Sequence, residues 1–190
     1  VEAAKRNFQA IKETDHVCKH FAAMGGVDAS VTLNIVDDEF HWGSLEAPSS
    51  FDVTERQEVP GRTLAGLFAE LDVEVVDLLK VDIEGAEIAL IDAADDATLR
   101  RCCQMTIEFH DFLDPGQTAD VKRQLDRFED LGFDCVVMTR RHHGDVWIVN
   151  REALGLSSAE LIYYKTALKY GRGLRRMLAR TLGCSVERLA

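Results

Sequence analysis

The chain has 190 residues, of which 46% are hydrophobic, and this predicts one globular domain with room for at most a short appendage. A net charge of −11 argues against a nucleic-acid partner bound by phosphate neutralisation, and without an apolar run of about 18 residues no transmembrane segment is predicted. The five cysteines form no Cys-x-x-Cys pair, which argues against a disulfide framework or zinc ribbon and indicates a reducing, cytoplasmic location.

The first third of the chain predicts a helix, two strands and a long loop. A helical pattern covers residues 5–11, a short strand residues 15–23, and alternating apolar side chains predict a clearer strand over residues 29–36. Prolines, serines and a glycine indicate a loop over residues 37–62, with one short strand near residues 53–59.

The middle of the chain alternates helices with strongly apolar strands. Thr63 is the expected cap of a helix, because the apolar residues that follow it recur at helical spacing. Residues 75–83 and 102–109 are nearly continuous apolar runs, which is typical of strands buried on both faces, and a helix is expected between them over residues 85–94.

A helix and a hairpin follow. Residues 115–131 form an amphipathic pattern, and residues 133–139 and 145–150 predict two strands joined by a short turn. His142 and His143 lie in this turn and are expected to be solvated. Strands alternating with helices predict an α/β fold: a Rossmann-like, mostly parallel sheet with helices on both faces and a terminal antiparallel hairpin strand.

The C-terminal segment differs from the rest of the chain. We divide the sequence into a domain over residues 1–151 and a helical extension over residues 152–190, in which Ser157 and Glu160 form a capping box. Residues 165–190 contain seven basic residues and one acidic residue, a net charge of +6. These helices are expected to fold back on the acidic body, with a protein partner or homo-oligomer contact as the alternative.

Polar side chains follow the two buried strands. Asp82 and Glu84 end the first, and Glu108, His110 and Asp111 end the second. Ligands bind beyond the carboxyl ends of strands in open α/β sheets, so we expect these groups to meet at one edge. Two carboxylates there suit a metal, a general base or ligand hydroxyl groups, although Glu84 could instead begin the next helix.

At this point the sequence resembles a known family. VDLLKVDIEGAEIALI, residues 76–91, is similar to the hallmark of FkbM-type methyltransferases, an apolar strand ending in Lys-x-Asp-x-Glu-Gly-x-Glu. The matching residues are Lys80, Asp82, Glu84, Gly85 and Glu87. Residues 58–71 and 106–111 also resemble family segments.

The resemblance implies the class I methyltransferase fold, with S-adenosylmethionine at the carboxyl edge of the sheet and O-methylation of a hydroxyl on a sugar or other small metabolite. By position, Glu2 corresponds to the acid that binds the cofactor ribose, and Ala22 and Ala23 to the residues that frame the adenine. Asp82 corresponds to the acid near the transferred methyl group.

The resemblance also implies which groups face the substrate. Glu84 and His110 are expected to face its hydroxyl, with His110 first and Asp82 second as candidates for the general base, and no metal is expected. The family's first strand and glycine-rich turn would precede Val1, and because a buried central strand cannot be omitted without exposing its neighbours, we expect a further N-terminal segment.

Two other functions remain open. In a Mg²⁺-dependent phosphohydrolase, Asp82 and Glu84 would bind the metal with Glu108 or Asp111. In a non-enzymatic binding module, the basic C-terminal helices would dock a protein, consistent with the absence of a glycine-rich nucleotide loop from the sequence.

Overall fold

The computed structural model describes residues 20, 22–36, 43–45, 53–139, 142–168 and 170–171. Several predictions lie outside the described residues: the helix over residues 5–11, most of the strand over residues 15–23, the position of Glu2 and the basic segment from residue 172 onward.

One sheet is formed by the first part of the chain. Its strands are β1 (Ala23–Met24), β2 (Ser30–Val36), β3 (Gly43–Ser44) and β4 (Val53–Arg62), in the order β1-β4-β2-β3. The ten-residue β4 corrects the prediction of a loop with one short strand. Its pairing with β2 explains the strand, and the Ser30 and Thr32 hydroxyls donate to the Glu58 carboxylate across that pair at 3.0 and 2.6 Å.

A second sheet carries the candidate site. It consists of β5 (Leu79–Val81), β6 (Gln104–Ile107), β7 (Asp134–Val137) and β8 (Val146–Val149), in the order β5-β6-β8-β7. Strands β5 and β6 are parallel, whereas β8 returns between β6 and β7 and is antiparallel to both. In the described residues each sheet therefore has one parallel and two antiparallel pairings, which corrects the prediction of a single, mostly parallel sheet.

Five α-helices surround these sheets in the described part of the chain: α1 (Leu64–Glu70), α2 (Glu87–Ala93), α3 (Asp96–Arg100), α4 (Thr118–Asp130) and α5 (Ser158–Tyr163). The predicted caps are confirmed: the Thr63 side chain accepts from the Gly66 N–H, and Ser157 and Glu160 form a capping box. Gly132 has φ +90 after α4, as a left-handed C-terminal cap requires. None of these helices combines the length and hydropathy needed to span a bilayer.

Helix α2 begins at Glu87, two residues later than predicted. Glu84 has φ 54 and Gly85 has φ 100, so the chain makes a left-handed turn between β5 and α2. Positive φ is uncommon for a residue with a side chain, and it is often found where a functional group must be presented in one direction. The turn brings Glu84 to the end of β5.

The core lies between the second sheet and helices α2 and α4. Phe109 and Phe128 are fully buried, and the Phe128 ring packs edge to face on Phe133 with centroids 5.8 Å apart. Beyond β8, Leu161 of α5 is also buried, and the Lys165 ammonium lies 3.3 Å from a carboxylate oxygen of Asp134.

Arg127 of α4 binds the connection between α2 and α3. Its guanidinium donates to the carbonyls of Ile91 and Ala94 at 2.9 and 2.7 Å, and to the Asp96 carboxylate at 2.7 Å. The planar guanidinium fork thus binds two carbonyls at the end of α2, of which that of Ile91 also accepts the Ala94 N–H at 3.2 Å.

We expect Arg127→Lys to lower the free energy of unfolding by about 1 kcal/mol, because a single ammonium cannot reach all three acceptors. Urea unfolding followed by circular dichroism measures the change. Arg123→Lys is the matched control. Arg123 lies on the same helix as Arg127 and forms exposed ion pairs with Asp92 and Asp120, so no measurable loss of unfolding free energy is expected. Equal losses in the two variants would contradict the role given to Arg127.

Candidate functional site

The acidic ends of two neighbouring strands meet at one edge of the second sheet. Asp82 and Glu84 follow β5, His110 follows β6, and the parallel pairing of these strands brings their carboxyl ends together. One ligand atom from each of the three side chains lies within 4.8 Å of the others. The structure thus brings Asp82, Glu84 and His110 together, as the sequence pattern predicts, whereas Glu108 and Asp111, which were expected at the same edge, are not part of this cluster.

A cavity of about 300 Å³ lies between this edge and the first sheet. Its apolar wall comes from the first sheet and its acidic wall from the end of β5; the lining residues are Ala22, Ala23, Met24, Leu33, Leu45, Val59, Asp82, Ile83 and Glu84. Of the four residues predicted to bind the cofactor, Ala22, Ala23 and Asp82 line this cavity, and Glu2 lies outside the described residues. His110 does not line it.

Behind the cavity, three side chains form a hydrogen-bonded row. His110 Nδ1 lies 2.9 Å from Glu87 Oε1, and His110 Nε2 lies 3.1 Å from Glu84 Oε2. The side chains of Glu87 and His110 are 2% and 6% exposed, whereas that of Glu84 is 41% exposed. The row therefore runs from the core, through an imidazole ring, to a carboxylate on the cavity wall.

Glu87 was not predicted to have a chemical role. Its Oε1 accepts the backbone N–H groups of Ile83 and Gly85 at 3.1 Å each, in addition to the histidine contact. A buried carboxylate needs such donors to offset its desolvation. The signal in the sequence is an acid at the apolar stripe of α2, because Glu87 precedes the buried Leu90 and Ile91 by three and four positions.

The row shifts the protonation of two of its members. Burial alone lowers the pKa of His110, but the hydrogen bond to Glu87 and the charges of Glu87, Glu84 and Glu108 outweigh it and raise that pKa above its usual value. Burial raises the pKa of Glu84, and the neighbouring acids Asp82, Glu87 and Glu108 raise it further, while His110 opposes the shift.

Asp82 has a more open environment. Its side chain is 37% exposed and forms an ion pair with Lys80. The hydrogen bond to Asp82 raises the pKa of Lys80. A carboxylate on the wall of a cavity, balanced by an exposed ammonium, can still interact with a positively charged group of a ligand.

The loop after β6 holds a second buried contact, which corrects the prediction that His143 is solvated. The His143 side chain is 15% exposed, its Nδ1 lies 2.7 Å from Asp111 Oδ2, and its backbone N–H donates to Asp111 Oδ1 at 3.0 Å. Nearby, Phe112 stacks between His110 and His142, with centroids 5.4 and 5.2 Å away. These contacts tie the hairpin turn to the loop that carries His110.

The spacing of Asp82, Glu84 and His110 is compatible with a divalent cation. However, His110 Nε2 already contacts Glu84, so the ring could bind a cation only by giving up that hydrogen bond. The cavity wall fits a cationic organic ligand with an apolar portion more directly, since it combines carboxylates with small apolar side chains.

Comparison with known proteins identifies a matching family. The family profile described as the methyltransferase FkbM domain matches residues 6–135. The AMB antimetabolite synthetase AmbE of Pseudomonas aeruginosa is 34% identical over 93 residues, which are 49% of this chain and 4% of AmbE. No solved structure matches. Because the profile covers more than half of the sequence, the chain belongs to the FkbM methyltransferase family.

Proposed function

We propose that this chain is an S-adenosylmethionine-dependent methyltransferase that methylates a hydroxyl group of a small molecule such as a sugar. Family membership supports methyl transfer, and the observation that carries the proposal is the cavity with an apolar wall on one side and two carboxylates on the other. When bound, S-adenosylmethionine supplies an electrophilic methyl group on a positively charged sulfur.

The cavity suits such a cofactor in size and lining. Ala22 and Ala23 present small apolar surface against which a flat purine can pack, and Asp82 offers a negative charge to the sulfonium. The volume of about 300 Å³ is at the lower end for small-molecule sites. Glu84, on the same wall, would face the hydroxyl of the methyl acceptor.

The chain's contribution to the reaction is orientation. Two carboxylates on one wall can hold the acceptor hydroxyl and the sulfonium at a near-attack separation, and such positioning supplies a large part of the acceleration in reactions between two bound groups.

We also propose a cytoplasmic location, which the free cysteines of the described residues support. Cys102, Cys103 and Cys135 are free, and burial raises the pKa of Cys102 to about 11 and that of Cys135 to about 12. Thiols with such values are poorly reactive, which favours a packing role.

Titration calorimetry tests the proposal. We expect the protein to bind S-adenosylmethionine and its demethylated product, S-adenosylhomocysteine, each with one site. Adenosine triphosphate serves as the control nucleotide and should bind weakly, because the cavity wall carries carboxylates that repel phosphates. The proposal fails if neither adenosyl compound binds.

The spacing of Asp82, Glu84 and His110 supports a second candidate, the Mg²⁺-dependent phosphohydrolase. Phosphate release from p-nitrophenyl phosphate, measured with and without Mg²⁺ on the same preparation, distinguishes the two. Metal-dependent release without binding of either adenosyl compound would favour the hydrolase.

A further inference from the structure

We infer that Glu84, rather than His110, takes the proton from the methyl acceptor, and that His110 and Glu87 are positioning residues which hold the Glu84 carboxylate against the cavity. This inference rests on the proposed function and assigns the general base within it. It replaces the order of candidates given by the sequence, in which His110 comes first.

Glu84 has access to the cavity, whereas His110 does not. His110 is 6% exposed and does not line the cavity, so its ring has no direct path to a bound hydroxyl. Glu84 is 41% exposed and lies on the cavity wall, between the ring and the space where a substrate would bind. A general base must come within hydrogen-bond reach of the proton that it removes, and of these two groups Glu84 meets that condition.

The two contacts of the His110 ring bear on its protonation state. His110 Nδ1 lies 2.9 Å from Glu87 Oε1 and Nε2 lies 3.1 Å from Glu84 Oε2, and each contact requires a proton between its two atoms. If both protons are on the ring, His110 is an imidazolium with no lone pair left to act as a base. The raised pKa of His110 agrees with this protonation state.

The surroundings of Glu84 make its carboxylate more basic. An ordinary carboxylate is a weak base near pH 7, and a raised pKa brings it closer to the range in which general bases work well. Burial and the neighbouring acids Asp82, Glu87 and Glu108 raise the pKa of Glu84 in this direction.

Glu87 holds both ends of this arrangement. Besides the ring, it accepts the N–H groups of Ile83 and Gly85, which flank Glu84 in the chain. It therefore stabilises the left-handed turn in which Glu84 has φ 54, together with the orientation of His110. A single buried carboxylate thus fixes the base both through the backbone and through the imidazolium.

The acceptor oxygen bonds to the methyl carbon, the carbon–sulfur bond breaks with its electron pair left on sulfur, and Glu84 takes the hydroxyl proton. The half-exposed Glu84 can then release that proton to solvent. Neither His110 nor Glu87 changes its proton count in this step.

Nuclear magnetic resonance of the histidine ring tests the inference without any substrate. In protein labelled with ¹⁵N-histidine at pH 7.5, we expect both ring nitrogens of His110 to show imidazolium shifts, with His110→Gln used for assignment. In Glu87→Gln, which keeps the shape but loses the charge, the ring should shift toward the neutral form. A neutral wild-type ring with unprotonated Nε2 would overturn the inference.

Turnover supplies the second readout, as release of S-adenosylhomocysteine with glucose, ribose and glycerol as hydroxyl probes. We expect Glu84→Ala to lower kcat by about 10²- to 10⁴-fold and added formate to restore part of it. Glu87→Gln and His110→Gln should lower kcat by about 10- to 100-fold with unchanged affinity for S-adenosylmethionine. Rescue of His110→Gln by imidazole, with Glu84→Ala still active, would show that His110 is the base. If the wild type does not bind S-adenosylmethionine, the proposed function itself is wrong.

Discussion

Replacing Asp111 by alanine is expected to lower the free energy of unfolding by about 3 kcal/mol. The carboxylate is 3% exposed and accepts from both the backbone N–H and the ring of His143, with Thr118 Oγ1 at 3.4 Å from the same Oδ2. Its removal leaves buried donors without an acceptor, and that cost exceeds the net value of each hydrogen bond.

The stabilisation by Asp111 should depend on pH in a defined direction. Burial raises the pKa of Asp111, but the hydrogen bonds and charge of His143 outweigh this, so the folded-state pKa is below the usual value. A carboxyl with a lowered folded pKa stabilises the fold fully above its unfolded pKa of about 4, and that stabilisation is lost as the pH falls through the folded value.

Urea unfolding of the wild type, Asp111→Asn and Asp111→Ala at pH 7, 5 and 3.5 measures both effects. The advantage of the wild type over Asp111→Asn should be smaller at pH 3.5 than at pH 5. The exposed Asp77→Ala is the control and should show neither effect. A pH-independent difference between the wild type and Asp111→Asn would contradict the assignment of the charge.

Local signals in the sequence were reliable where one segment determined the structure. The cap at Thr63 and the capping box at Ser157 each depend on neighbouring residues, and each is present. The shared edge of Asp82 and His110 also followed from the sequence, because parallel neighbours align their carboxyl ends.

Features that depend on distant residues were not predicted. Strand β4 contains Pro60 and Gly61, which indicate a loop, and pairing with β2 overrides that local preference. The order of the second sheet, with β8 inserted beside β6, depends on packing between hairpin and helix that no local pattern encodes. The burial of His143 follows from the position of Asp111 in three dimensions, and so spacing in a turn could not reveal it.

The candidate site shows the same division. Its members Asp82, Glu84 and His110 were identified by position after a strand, whereas their order in space was not. Glu84 lies between the ring and the cavity because of the left-handed turn in which it has φ 54. Glu87 stabilises this turn by accepting the Gly85 N–H. A residue in the left-handed region at a strand end is thus the feature that places a carboxylate, and not the histidine ring, on the cavity wall.

Asp82→Asn is expected to weaken binding of S-adenosylmethionine by about 10- to 100-fold and to change binding of S-adenosylhomocysteine much less. The two ligands differ in charge at sulfur, so their affinity ratio isolates the electrostatic contribution of the carboxylate. Opposite charges 4 Å apart attract by about 1 kcal/mol in water and about 4 kcal/mol near a protein surface. Because Asp82 is 37% exposed, the expected loss of binding free energy lies between these limits.

Lys80→Met tests whether Asp82 acts on the ligand or only through its ion pair with Lys80. Removing the ammonium leaves the Asp82 carboxylate with its full charge, so affinity for S-adenosylmethionine should be unchanged or higher. Calorimetry at 50 and 500 mM salt should also show that the wild-type preference for the charged ligand falls as screening increases. Equal losses for both ligands in Asp82→Asn would mean that Asp82 shapes the cavity without facing the sulfur.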